Sequence, residues 1–435
     1  MKIKYIDLFA GIGGFHAVGT ALGWECVFAS EIDVNAARIY ELNWGINPLN
    51  DISQSANDVA MDVPEHDVLF AGFPCQPFSK SGKQLGMDET RGTLFWNILK
   101  VIVHHRPSLV VLENVRNLAG PKHKHEWMVI IEQLRQLGYR VSDKPFIVSP
   151  HRLQREAGGR PQNRERIYIV ATKADVGDFW SLRADPLYFI EKTILPNPNQ
   201  WNLNRDLPLQ KTKRKDLLLS QEEIEILSVW NDLIQRLLEN ENGVLPGFPF
   251  WTDFWNLKQI KSIDSEYPLW KIDFIEKNQS FYRRNASTID SWLKRNPNFK
   301  KFPNSRRKFE WQAQDAESIW STLIQLRPSG IRVKKPTYVP ALVAITQTSI
   351  LGNQRRRLSI REVTRLQGLP EWFSFGNQSD AQSYKQLGNG ISVGAAYQVM
   401  RSIPQRDADL LSSIAPKILN DLEKAPLNPD LLLEK

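Results

Sequence analysis

The chain has 435 residues, 42% of them hydrophobic and 24% charged, and a formal net charge of +8. This composition excludes a disordered or fibrous chain, and the length exceeds what one compact core usually holds, so two domains are expected. Excess positive charge favours a polyanionic partner without establishing one.

Met1-Lys2-Ile3-Lys4 leads within a few residues to Asp7 and carries no signal-peptide pattern. No apolar run approaches the length of a membrane span, so a cytoplasmic protein without membrane contact is expected. Lys4–Ala10 reads as a strand ending in a glycine turn, Phe15–Gly23 as a helix and Val27–Glu31 as a second strand. Asp67–Ala71 and Leu109–Leu112 are apolar runs of the kind buried on both faces of a parallel sheet. Thr93–Val103 and Trp127–Leu137 have helical spacing, the latter closed by Gly138, and Arg166–Ala171 is a further strand. Such alternation predicts an α/β, doubly wound, Rossmann-like sheet whose ligands sit beyond the carboxyl ends of its strands, with a second, smaller domain.

From about Ala184 the texture changes. Nine tryptophans fall there or just before it: Trp180, Trp201, Trp230, Trp251, Trp255, Trp270, Trp292, Trp311 and Trp320. Ser220 with Glu223 makes a capping box opening a helix to about Glu239. Basic clusters stand at Lys211–Lys215, Arg283–Arg284, Lys300–Lys301 and Arg306–Lys308. A solvated surface over a tryptophan core is one reading. Arginine interleaved with aromatic residues for nucleic-acid contact is the other, with Arg283, Arg284, Arg306 and Arg307 as candidate base readers. After about Arg355 the α/β texture returns, and the chain from Gln405 is helical or loose.

Three runs carry chemistry. The first turn, Asp7-Leu8-Phe9-Ala10-Gly11-Ile12-Gly13-Gly14-Phe15, has the glycines of a close backbone–ligand approach. His16 replaces the last glycine of the dinucleotide fingerprint, which disfavours a pyrophosphate clamp and a nicotinamide enzyme. Glu31 ends the second strand, where a carboxylate would hold ribose hydroxyls. Together they fit a nucleoside ligand without phosphates, although a plain tight turn reads as well. Next, Gly72-Phe73-Pro74-Cys75-Gln76-Pro77-Phe78-Ser79 displays a thiol past a strand end, where a structural cysteine is the alternative. The only other cysteine is Cys26, so there is no disulfide framework, and no metal-ligand spacing accompanies either residue. Finally, Glu113-Asn114-Val115 brings a carboxyl to the sheet edge that carries the thiol, and Pro161-Gln162-Asn163-Arg164-Glu165-Arg166 brings guanidinium groups to the start of a later strand.

In this order the runs resemble the motif set of DNA cytosine-C5 methyltransferases. Arg356-Arg357-Leu358-Ser359-Ile360-Arg361-Glu362 and Gln386-Leu387-Gly388-Asn389-Gly390-Ile391 complete the set. The likeness covers residues 3–171 and 355–402. It departs at Arg160, where a small aliphatic residue is usual, and at Gly390, where a small side chain is usual.

The resemblance implies a catalytic and cofactor-binding domain over 1–183 and a target-recognition domain over 184–354. Residues 355–402 would return to the catalytic domain, with a tail over 403–435. It implies S-adenosyl-L-methionine as methyl donor, double-stranded DNA as substrate, Cys75 as covalent nucleophile and Glu113 as proton donor. Arg164 or Arg166 would hold the base. Phe9, Gly11, Gly13, Gly14, Glu31, Ile32, Asp51, Ile52, Pro74, Leu94 and Asn389 align with the cofactor pocket, Phe9 and Leu94 having core packing as an alternative. Ser79–Arg91 resembles the loop that closes over a flipped base, with Ser81 filling the vacated space and Gln76 and Gln162 near DNA. The resemblance further implies a bacterial, nucleoid-associated monomer, and a cognate restriction endonuclease is compatible with it as a partner. The rival readings are an RNA cytosine-C5 methyltransferase, whose members lack so long a recognition segment, and a non-catalytic DNA-binding relative.

Overall fold

The computed structural model describes residues 2–74, 93–174, 182–209, 214–241, 243–255, 267–342 and 348–434. These form two compact units, one comprising Met1–Trp201, Pro340–Thr346 and Ile360–Lys435, the other Asn202–Val339 and Gln347–Ser359. Cys75, Gln76, Ser81 and Trp180 lie outside the described residues.

The first unit opens with β1 (Lys4–Leu8), α1 (Gly14–Ala21), β2 (Glu25–Ser30), α2 (Val34–Trp44) and the short α3 (Ile52–Ser55). β3 (Val68–Ala71), α4 (Leu94–His105), β4 (Leu109–Val115) and α5 (Lys124–Gln136) follow. Then come β5 (Tyr139–Ser142), β6 (Phe146–Val148), β7 (Arg166–Lys173) and β8 (Arg183–Ala184). The strands form one eight-stranded sheet in the order β2-β1-β3-β4-β7-β5-β8, with β6 also paired to β7. β1, β2, β3 and β4 run parallel, and all four side chains of β3 are buried, which is why its sequence is apolar without alternation. β7 runs antiparallel to β4. This reversal does not follow from the sequence pattern, because periodicity reports burial and not direction.

α2 was not expected. Asp33 caps it by accepting hydrogen bonds from the Asn35 and Ala36 amides, and Gly45 closes it in the left-handed region. The helix explains His16. The buried imidazole stacks on Trp44 with ring centres 4.5 Å apart and sits 2.7 Å from the Tyr40 hydroxyl. Burial pushes its pKa down to about 4, so a neutral side chain fills the space where a dinucleotide fold keeps a glycine.

In the second unit α6 (Gln221–Asn240) begins with the expected capping box of Ser220 and Glu223. β9 (Phe250–Trp251), α7 (Leu269–Arg284), α8 (Ala286–Arg295), β10 (Lys308–Gln312), β11 (Leu323–Arg327), β12 (Gly330–Lys334), β13 (Ile350–Leu351) and β14 (Arg356–Arg357) follow. They make a second sheet ordered β14-β13-β11-β12-β10-β9. Trp230, Trp255, Trp292 and Trp311 are core residues here. Their indole N–H groups donate to Arg306 O, Asn278 Oδ1, Val229 O and Gln314 O respectively, which removes the cost of burying them. Trp270 is different, at 59% exposed.

The chain then returns to the first unit with α9 (Ile360–Gln367), α10 (Asp380–Asn389), α11 (Val393–Ser402) and α12 (Pro404–Ile414). The units part at 201/202, not at 183/184, because Arg183–Ala184 pairs in parallel with β5. Arg356 and Arg357 belong to the second sheet, so the returning segment starts at Ile360 instead of residue 355. Residues beyond 403 are part of the first unit: Thr172 on β7 donates to Asp407 Oδ2 at 2.6 Å, and Arg140 pairs with Asp409. Among the described residues no helix is long and apolar enough to cross a membrane.

Candidate active site

Leu8, Ala71 and Leu112 stand level across β1, β3 and β4, so the residues that follow them share one edge of the sheet. A cleft of about 470 Å³ opens there. Its walls include Phe9 and Gly11 after β1, Glu31 and Ile32 after β2, and Asp51 and Ile52 at the start of α3. Pro74 follows β3, Leu94 begins α4, and Glu113 and Arg166 come from β4 and β7, with Asn389 at the end of α10.

The glycine turn is held by a carboxylate. Glu31 accepts the Gly11 amide at 2.8 Å on one oxygen and the Asp33 amide at 2.7 Å on the other. Phe9 and Gly11 both have positive φ, 57° and 56°, and a Cβ at Gly11 would meet nothing within 4 Å. Gly11 therefore presents bare backbone to the cleft. Gly13 and Gly14 do not line it. A Cβ at Gly13 would lie 2.1 Å from Trp44 Nε1, and one at Gly14 would lie 2.8 Å from Ile391 Cβ. These two glycines let α2 and the segment after α10 pack under the turn.

Asp51 accepts the Ser53 amide and hydroxyl on Oδ1, at 2.9 and 2.7 Å, and Oδ2 carries no hydrogen bond among the described residues. Ile32 leaves 69% of its surface exposed although it is apolar. Asn50, Lys385 and Gln386 also border the cleft and were not expected. Lys385 could have been found from Asn389, since positions four apart share one face of a helix.

Glu113 is buried near the end of β4 and receives Arg166 Nε on Oε1 at 2.9 Å. Burial pushes its carboxyl above the ordinary range, an effect that the Arg166 and Arg164 guanidiniums only partly offset. Asn114, the next residue, donates to the Phe73 carbonyl at 2.9 Å and so ties the segment leading to Cys75 onto β4. A Cβ at Gly72 would be 3.8 Å from Glu113 Oε2, an ordinary contact that shows how near this segment runs. Cys26, by contrast, sits on β2 with its thiol pushed up to about 12 by burial.

The two arginines expected to share the base part company. Arg166 lines the cleft, whereas Arg164 is 1% exposed and does not. Gln162, expected near DNA, is 0% exposed, and neither end of its amide has a partner among the described residues.

The model of the C-5 cytosine-specific DNA methylase family matches residues 3–405. The chain belongs to that family. It is a DNA (cytosine-5-)-methyltransferase. It is 41% identical to the type II methyltransferase M.AluI of Cellulosimicrobium cellulans, over 94% of this chain and 93% of that protein. Identity is 45% with the type II methyltransferase M.NlaX of Neisseria lactamica, over 95% and 99% of the two chains. With M.HhaI of Haemophilus parahaemolyticus it is 28%, over 92% and 94%.

In the second unit of this methylase the four expected base readers differ. Arg306 is half-buried and donates to the Arg327 carbonyl at 3.1 Å. Arg307 pairs with Asp253 and Asn304. Arg284 lies 3.8 Å from Glu241. Arg283, exposed near the end of α7, makes no hydrogen bond or ion pair among the described residues.

Because Glu113 is the buried acid of this cleft, Glu113→Gln should lower turnover by roughly 10²–10⁴, the span of a general acid. Donor binding measured by calorimetry should change less than about twofold, since the substitution keeps the shape. Turnover at the wild-type level would remove Glu113 from the chemistry.

Proposed function

We propose that the chain transfers a methyl group from S-adenosyl-L-methionine to C5 of a cytosine flipped out of double-stranded DNA, through a covalent Cys75–C6 bond. The observation that carries this reading is a buried, Arg166-bonded Glu113 on the rim of a nucleoside-sized cleft, one residue along the wall from the segment that leads to Cys75.

The cleft fits the donor. The open backbone at Gly11, the unused oxygen of Asp51 and the uncovered face of Ile32 are features a purine nucleoside would occupy. Each oxygen of Glu31 keeps a lone pair for ribose hydroxyls, Asp51 would take the adenine amino group, and Ile32 and Ile52 its two faces. Phe9, Pro74, Leu94 and Asn389 would complete the wall. Bound S-adenosyl-L-methionine supplies an electrophilic methyl group.

The residues of the chain do the rest. Cytosine C5 is a weak nucleophile, and a thiolate from Cys75 adding to C6 turns the ring into an enamine. Glu113 donates a proton or hydrogen bond at N3 to receive the displaced electrons, and a base closing over the cleft excludes further water and favours its protonated form. Arg166 orients Glu113 and supplies positive charge that favours thiolate at Cys75. After methylation, loss of the C5 proton expels Cys75. The target must leave the stacked duplex for any of this.

The second unit, in this reading, recognises the DNA sequence, and its relatives' type II designation supports a role protecting DNA beside a cognate restriction endonuclease. Arg283 is the free guanidinium among the four candidates, whereas Arg306 and Arg307 spend theirs holding the unit together.

Two experiments test this. A duplex carrying 5-fluorocytosine at the target should trap a covalent adduct in the presence of donor, because fluorine blocks the final elimination. Cys75→Ser should lose the adduct and keep donor binding. An adduct that survives that substitution, or maps to Cys26, sinks the mechanism. Separately, Arg283→Ala should weaken DNA binding with little change in Tm, and Arg307→Ala should lower Tm. Equal DNA binding by Arg283→Ala and wild type, across a salt series, would place recognition elsewhere.

A further inference from the structure

We infer that Arg164 is a positioning residue for the donor cleft: its guanidinium closes the carboxyl end of α10 and fixes the wall that carries Gly388 and Asn389. This rests on the reading of the cleft as the donor site.

The last carbonyls of any helix lack intrahelical partners and must find others. At the end of α10 they find two buried side chains. Leu387 O accepts from Gln367 Nε2 on α9. Gly388 O and Gly390 O both accept from Arg164 Nη2, at 2.8 and 2.7 Å. Arg164 Nη1 meanwhile donates to Leu342 O at 3.0 Å. A cation suits this place, since the carboxyl end of a helix carries partial negative charge. The planar fork suits it too, because it holds several oxygens in fixed directions that an ammonium cannot match.

The clamp is built in. The Arg164 amide donates to Ser149 Oγ at 2.8 Å, and that hydroxyl also meets His151 Nδ1 at 2.8 Å. The nearby charged groups are Arg166 and Glu113. Burying the guanidinium is costly, and its pKa falls to about 9, yet the chain keeps it where no carboxylate among the described residues touches it. What it holds is the cleft. Lys385, Gln386, Gly388 and Asn389 all line it, and all four come from α10. The two arginines of one motif thus divide the work, Arg166 holding Glu113 and Arg164 holding the end of α10.

The test uses the full chain and three proteins: wild type, Arg164→Gln, which is neutral but can still donate to one or two carbonyls, and Arg164→Lys, which keeps the charge. Binding of S-adenosyl-L-methionine is measured by calorimetry without DNA. Hydrogen exchange of residues 386–391 is followed in the unliganded protein. Affinity should weaken about tenfold or more in Arg164→Gln and less in Arg164→Lys, as buried carbonyls lose donors. Exchange at the Gly390 amide should accelerate in the same order. At saturating donor, KM for DNA should match wild type in both variants, and the pH profile of kcat should match it in Arg164→Lys, which keeps the charge beside Glu113. Unchanged donor affinity together with a raised KM for DNA or a lowered kcat would overturn the inference and return Arg164 to the base. A lower Tm with wild-type donor affinity and wild-type exchange at 386–391 would overturn it as well. If wild type itself fails to bind donor, the reading of the cleft falls, and the exchange data alone then decide whether Arg164 holds the helix end.

Discussion

The pairing of β4 with β7 is the constraint on which the site depends. Parallel strands can deliver loops to one edge only from their carboxyl ends, and β1, β3 and β4 do this. β7 runs the other way, so its first residue arrives at that same edge. The register sets Val115 opposite Arg166 and Glu113 opposite Tyr168. Glu113 and Arg166 are therefore diagonal neighbours on one face of the sheet, within reach of a long side chain. A shift of one residue would turn Arg166 to the other face and leave Glu113 buried without its partner, a costly state. An acid with a raised pKa and a cation beside it both follow from a strand register.

Polar side chains around the cleft serve the fold as well as any ligand. Glu31 spends one lone pair of each oxygen on backbone amides, Asp51 caps α3, and Asn114 anchors the Phe73 carbonyl. This leaves the cleft shaped in advance, which lowers the ordering cost of binding. It also means that a substitution at Glu31 would loosen the glycine turn along with any ribose contact, so loss of binding there would not separate the two roles.

Much of the first unit was legible from its residues. Continuous apolar runs marked β3 and β4, the glycine turn marked the end of β1, and the order of motifs pointed to the family. Position within a motif did not reveal which way a side chain faces. Gly13 and Gly14 read as ligand-facing because Gly11 is, yet Trp44 and Ile391, distant in sequence, occupy the space a side chain would need. Arg164 and Arg166 look equivalent as text, but the chain just before β7 turns one into the interior and the other to the cleft. The second sheet was invisible for another reason: its strands are five residues or shorter, and a tryptophan-rich, basic texture is the same for a packed core as for a stacking surface. Only the indole partners distinguish them.

Burial outweighs Arg166 and keeps the Glu113 carboxyl above its ordinary pKa. The direct measurement is a carbon-13 NMR titration of glutamate side-chain carboxyls in the unliganded protein, with Glu113 assigned by the signal missing from Glu113→Gln. The expected midpoint lies above the ordinary glutamate value of about 4.3. A midpoint at or below that value would mean that the ion pair wins, that Glu113 is a committed carboxylate, and that the acid for N3 must be sought elsewhere.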